Sequence, residues 1–133
     1  MTDDMIALSR RAVASRGWRW MPGMMRLRAT PPTRRDHLRM EGRVPDGGDT
    51  WDYAAWRVIP DVTDAATLGC LLALVRDAWG NPNGHIVFLG KCGSDPRGWR
   101  FEWSTTDGQF GGGIHRYSPT EAEALVAALE SAP

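Results

Sequence analysis

Three histidines and two cysteines are the residues of this chain best suited to bind a metal or to carry nucleophilic chemistry, and their spacing argues against both. A zinc site gathers three or four His, Cys, Asp or Glu ligands and is usually announced by close pairs such as C-x-x-C or H-E-x-x-H. His37, His85 and His115 are single and scattered, and Cys70 and Cys92 form no such pair. Serine chemistry would place its nucleophile on a sharp, glycine-flanked turn, yet no G-x-S-x-G occurs. Cys92 stands before Gly93 at an expected strand end, with no helix N-terminus beside it to lower the thiol pKa. The run Gly111-Gly112-Gly113 invites a phosphate-cradle reading, but the Lys and Ser or Thr of a P-loop do not follow it. A bulge or a close backbone approach within a strand accounts for it better. Asp3 with Asp4, and Glu121 with Glu123, fit the favourable ends of helix dipoles. The expectation is a protein without catalytic residues, metal or cofactor, and hence not an enzyme.

Binding chemistry is better represented. The chain holds seven tryptophans, at 18, 20, 51, 56, 79, 99 and 103. Trp79, Trp99 and Trp103 fall on core-facing positions of regular patterns. Trp18-Arg19-Trp20 instead interleaves aromatic and guanidinium groups, a pairing that stacks bases, holds phosphates and recurs in protein-interface hot spots. Packing against the first helix is the competing account of the two rings. Formal charge is zero overall but unevenly spread: residues 1–59 carry a net +4 and residues 60–133 a net −4, and the stretch from Arg10 to Arg43 reaches +8. Fifteen of the sixteen basic residues are Arg, suited to bidentate contact with phosphate or carboxylate. The candidate partner-binding set is therefore Trp18, Arg19, Trp20, Arg26, Arg28, Arg34 and Arg35. Overall neutrality disfavours non-specific DNA binding.

The elements that would carry these residues read as one α+β domain over residues 1–133, a mainly antiparallel sheet of about four to six strands packed by three helices. Met5, Ile6, Leu8, Ala12 and Val13 lie on one side of a first helix over 3–15, with Gly17 as its stop. Residues 17–30 change to alternation and suggest two short strands or a broken hairpin about Pro22-Gly23. Residues 30–50 read as a long irregular loop, with a short strand at His37 to Arg43 as the one regular element within it. Trp51 to Ile59 alternates loosely, and Pro60 ends it. Leu68, Leu71, Leu72, Val75 and Trp79 then mark a second helix over 64–79, capped by Asp or Thr at its start and stopped by Gly80 and Pro82. His85 to Lys91 is apolar on both faces, the pattern of a central strand covered on two sides. Gly98 to Ser104 alternates cleanly, and the Asp107-Gly108 turn leads into Phe110 to Tyr117 as its hairpin partner. A third helix over 119–131 opens with Ser118-Pro119-Thr120-Glu121, read as cap, first helical position and capping-box acid.

At 133 residues one core is the natural size, and the longest aliphatic run, Leu71 to Val75, is far short of the roughly 20 residues a membrane span needs. The acidic start at Asp3-Asp4 is unlike a secretory signal. Two cysteines are too few for a disulfide framework, and Cys70, within an apolar helical pattern, is expected as a buried free thiol.

Three segments carry a resemblance. Trp18-Arg19-Trp20-Met21-Pro22-Gly23-Met24, then Pro60 to Asp64 running into Thr67-Leu68-Gly69-Cys70-Leu71-Leu72-Ala73-Leu74-Val75-Arg76, then Thr120 to Glu130, resemble a family of small proteins of tailed phages and prophages. The C-terminal half is also similar, in its order of elements, to the phage α-β-α sandwich domain. The resemblance implies a phage gene expressed in a bacterial cytoplasm and brings no catalytic residues with it. Together with the Arg10 to Arg43 segment and Trp18-Arg19-Trp20, a phage origin suggests a binding protein that inhibits a bacterial defence system, by blocking an effector in the manner of an anti-CRISPR protein or by sequestering a nucleotide signal. The partners would be a host protein effector or an anionic nucleotide, with a homodimer left open and no membrane. The alternative is a phage structural or assembly accessory protein with no ligand.

Overall fold

The computed structural model describes residues 1–29, 38–47, 58–90, 98–114 and 116–133. Three helices and six strands follow in the order α1 (Asp3–Ala14), β1 (Met25–Ala29), β2 (Leu38–Arg43), β3 (Val58–Pro60), α2 (Ala65–Trp79), β4 (His85–Leu89), β5 (Gly98–Ser104), β6 (Phe110–Gly113) and α3 (Glu121–Glu130). This is the expected α+β architecture, with the strands divided into two antiparallel three-stranded sheets ordered β2-β1-β3 and β4-β5-β6.

Each helix begins where a side chain satisfies its orphan backbone donors. Thr2 accepts from the Met5 amide at 3.3 Å, Asp64 from Thr67 at 2.9 Å and Thr120 from Glu123 at 3.1 Å. The third cap corrects the sequence reading, which gave that role to Ser118. Ser118 is instead held in a two-way backbone pairing with Trp99, at 2.8 Å each way, so the chain is still extended there and the helix starts later. Asp3 and Asp4 in the first turn of α1, and Glu121 and Glu123 in that of α3, oppose the positive ends of the helix dipoles.

α1 and α3 lie side by side. Their C-terminal ends are joined by Arg11 and Glu130, and their N-terminal ends, at Thr2 and Thr120, line one shallow groove, so the two helices run parallel. α1 sets Ile6 against Leu27 of β1 and Ile59 of β3 to form a small cluster with the first sheet. The main core gathers Leu71, Leu74 and Val75 of α2 with Leu125, Val126 and Leu129 of α3 around fully buried Phe101 of β5. Burial of each of these aliphatic side chains contributes about 1.5–3 kcal/mol. Trp79 and Trp103 flank Phe101, with ring centroids 6.4 and 6.0 Å from it, and the Trp79 indole donates to the Ala128 carbonyl at 2.8 Å.

Two glycines of the run are explained by Trp103, and the third, Gly113, by the close approach of the Phe101 carbonyl and Glu102. The Trp103 indole lies flat on β6, so a Cβ at Gly111 would stand 2.8 Å from the ring and one at Gly112 2.6 Å. A register shift falls at Trp103/Ser104, the bulge that such a run allows. Two expectations are revised. The alternation over residues 17–30 yields a strand only at Met25–Ala29, and Pro60 closes β3 from within. Among the described residues His85–Leu89, read as a central strand, is an edge strand, with Phe88 54% and Leu89 40% exposed. Trp51 and Trp56 lie outside the described residues. No described helix is long and apolar enough to cross a membrane.

Candidate functional site

After Ala14 the chain leaves α1 through a turn in which the Trp18 amide donates to the Ser15 carbonyl at 3.0 Å. The chain then runs back along α2: Arg19 reaches Asp77 in its last turn, the Pro22 carbonyl lies 3.5 Å from Cys70 Sγ, and the Met25 amide donates to Thr67 in its first turn. Trp18 and Trp20 meet edge to face, centroids 5.4 Å apart and planes at 84°. Both rings are half-buried and pack against the main core. They pack inward on that core while keeping part of their surface open. The Trp18 Nε1 is buried without a hydrogen-bond partner, which costs free energy comparable to a lost hydrogen bond.

Arg19, exposed, donates from Nη2 to Asp77 Oδ2 in the last turn of α2 at 2.6 Å. Both side chains are more than half exposed, so solvent screens the pair and it contributes little to stability. Its effect is to hold the guanidinium in place. A shallow depression of about 380 Å³ opens beside Asp77, lined by Ala73, Arg76, Gly80, Asn81 and Pro82. Arg76 is committed there, its Nε donating to the Gly84 carbonyl at 2.6 Å. The result is a compact patch of two aromatic edges, one positioned cation and an adjoining hollow. Nothing in the sequence pattern pointed to Asp77, which lies 58 residues from Arg19.

The remaining candidate residues fall elsewhere. Arg26 is 5% exposed and donates to the carbonyls of Gly42 and Arg43 at 3.1 and 3.0 Å, tying the start of β1 to the end of β2. Arg28 is exposed on the first sheet and bridges to Glu41 at 2.7 Å. Arg34 and Arg35 lie outside the described residues.

Asp64 forms the firmest polar junction. Its carboxylate receives both Arg43 Nη atoms at 2.8 Å, together with the amide and hydroxyl of Thr67 at 2.9 Å. The Thr67 hydroxyl in turn accepts from the Met25 amide at 2.8 Å, and Arg43 also donates to the Gly23 carbonyl at 2.8 Å. The Arg43 hydrogen bonds hold the Asp64 carboxyl well below the usual carboxylate range, and Asp64 reciprocally raises the Arg43 pKa. A similar bidentate contact from Glu130 raises that of Arg11.

Cys70 is a free thiol, half-buried rather than fully enclosed, with Sγ 3.5 Å from the Pro22 carbonyl; desolvation pushes its pKa up, away from the nucleophilic form. Among the described residues no three His, Cys, Asp or Glu side chains are grouped to hold a metal ion. His85 sets Nδ1 3.1 Å from the Asn83 carbonyl and Nε2 3.8 Å from Glu102; His37 and His115 lie outside the described residues. A hollow of about 500 Å³ between α1 and α3 has Met5 and Leu8 in its lining with Asp4 and Glu123, and presents no nucleophile beside a base. No protein-family profile, curated protein or solved structure matches the chain.

Proposed function

We propose that this chain acts by binding and not by catalysis, and that it inhibits a bacterial defence effector by occupying a surface of that protein. The observation that carries the reading is the Trp18-Arg19-Trp20 patch: an edge-to-face indole pair with the intervening Arg19 bonded to Asp77. Part-open tryptophan and arginine, anchored in a rigid frame, are the groups that dominate protein-interface energetics.

A protein partner suits the patch better than a nucleotide. Arg11, Arg19, Arg28 and Arg43 each face a carboxylate of this chain, so much of the basic segment is already neutralised. A phosphate ligand would have to displace those carboxylates.

The test is plating of a targeted phage on a host that carries a CRISPR-type interference system. Expression of the wild-type chain should restore plating, and Arg19→Glu combined with Trp20→Ala should abolish the effect while leaving the far-ultraviolet circular dichroism unchanged. Plating that stays restricted with the wild-type chain present overturns the reading.

A further inference from the structure

β4 has the composition of an interior strand and the position of an edge strand. His-Ile-Val-Phe-Leu is apolar on both faces, yet among the described residues no strand pairs with its outer side. Natural sheets usually protect an open edge with charge, proline, a bulge or brevity. The other edges of this protein do so: β2 carries Arg39, Glu41 and Arg43 and a register shift, β3 has three residues and ends in Pro60, and β6 has four residues, three of them glycine. β4 carries no proline and no Asp, Glu, Lys or Arg. It also exposes Phe88 and Leu89, on opposite faces of the sheet.

The hydrogen-bond phase of the free edge follows from the other side of β5. Trp99 bonds both ways with Ser118, and the Phe101 carbonyl accepts from Ile114, so the backbone groups of Trp99 and Phe101 point away from β4. Alternation then directs those of Gly98, Arg100 and Glu102 toward β4, where they face Leu89, Val87 and His85. The outward-pointing amides and carbonyls of β4 therefore belong to Ile86 and Phe88.

We propose that this edge is a self-association surface, on which a second copy of the chain lays its own β4 antiparallel about a two-fold axis through Val87. In that register Ile86 of each copy exchanges two backbone hydrogen bonds with Phe88 of the other, satisfying four donors and four acceptors in all. Val87 meets its own counterpart in a non-hydrogen-bonded pair, where side chains approach most closely. On the core side Phe88, stacked on Trp99 at 5.2 Å, gains Ile86 of the second copy as a neighbour; on the outer side Leu89 meets His85. The contact is isologous, so it closes as a dimer with one continuous six-stranded sheet.

Charge and area are consistent with this occupant and set its strength. Among the described residues the charges beside β4, Arg100 and Glu102, bind each other at 2.8 Å within each copy, so the two-fold operation brings no unpaired like charges of theirs together. A Phe side chain presents about 200 Å², and the half of Phe88 that is exposed, with Leu89 and the strand backbone, would bury on the order of 400 Å² per copy. That is about half the area of a standard interface, so the dimer belongs to the weak, transient class.

Sedimentation velocity of the full chain from about 1 to 300 µM should show a reversible monomer–dimer shift centred in that range. Val87→Glu, which places a carboxylate beside Arg100 in the monomer but two carboxylates together on the axis, should weaken association at least tenfold. Val87→Lys should do the same, and an equimolar mixture of the two variants should recover a heterodimer at least as tight as wild type. A wild-type chain that stays monomeric throughout overturns the proposal, even if it accepts an edge strand from another protein. Unchanged dimerisation of both variants, or a mixture that stays monomeric while each variant gives native circular dichroism, overturns the register.

Discussion

Replacing Asp64 by alanine tests the junction at which both sheet one and α2 are fixed. Its carboxylate caps α2, accepts from the hydroxyl of fully buried Thr67, and holds Arg43, which reaches back to Gly23. Loss of an N-cap of this type costs about 1 kcal/mol, and a buried hydroxyl left without its acceptor about 1 kcal/mol more. The contact with half-exposed Arg43 is screened and adds little. D64A should therefore lose about 2 kcal/mol. With an unfolding entropy of about 2.1 cal/mol/K per residue over 133 residues, that is a fall in Tm of about 7 °C. D64N should recover more than half of the loss, because an amide oxygen still caps and still accepts from Thr67. The pH dependence has a definite sign. The Asp64 carboxyl is depressed in the folded state, so its contribution is present above the ordinary carboxylate pKa of about 4 and is lost as pH falls through the folded value. Wild type should lose stability below about pH 5 more steeply than D64N, and the two should converge in acid. Urea unfolding followed by tryptophan fluorescence between pH 2 and 8 reads both effects. D64A within 0.5 kcal/mol of wild type, or D64A and D64N equally unstable, would falsify the capping account.

Four other substitutions follow from the geometry. Gly84→Ala would place a Cβ 2.1 Å from Cζ of fully buried Phe101, and overpacking of that kind should cost about 1–3 kcal/mol in urea unfolding. Arg26→Met strips the donor from two carbonyls at the β1–β2 junction and should lower stability by about 1–3 kcal/mol, marking Arg26 as structural. Trp79→Phe keeps a ring beside Phe101 but removes the indole donor to Ala128; a loss of about 1–2 kcal/mol is expected by thermal melting. Glu130→Gln breaks the part-exposed bridge to Arg11 and should change stability by less than about 1 kcal/mol at physiological salt.

Helix positions were legible because capping residues and apolar spacing are local properties. Asp64 and the stripe from Leu68 to Trp79 define α2 to within a residue. Ambiguity entered where two local rules overlapped. Ser118 to Glu121 and Thr120 to Glu123 are both capping boxes, and the choice between them was made by a non-local bond, the pairing of Ser118 with Trp99. The alternation at Trp18 and Trp20 misled for a related reason. Period two is also produced by two rings that turn inward from an irregular connection, and only packing on the main core distinguishes the cases. Strand order is a further step removed. No pattern within His85–Leu89 says whether a neighbour lies on one side or two, and among the described residues only β5 pairs with it.

The charge asymmetry of the sequence looks different once it is folded. Read along the chain, an arginine-rich first half and an acidic second half suggest a cationic surface ready for phosphate. In space, Arg11 meets Glu130, Arg19 meets Asp77 and Arg43 meets Asp64, each an arginine of the first half facing a carboxylate of the second. Such pairs add little to stability individually, but they link α1 to α3, the Trp18-Arg19-Trp20 connection to α2, and β2 to the start of α2. Wrong pairings of the two halves would leave those charges facing their like, so the segregation favours one docking of the halves over its alternatives. The three arginines paired in this way are poorly placed to serve a polyanion. Attraction through released counterions scales with the phosphates a protein neutralises, and a guanidinium already held by a carboxylate must first give that contact up. What remains distinctive at the surface is aromatic, Trp18 and Trp20 at one place and Phe88 at another, and aromatic surface of that kind is what protein partners use.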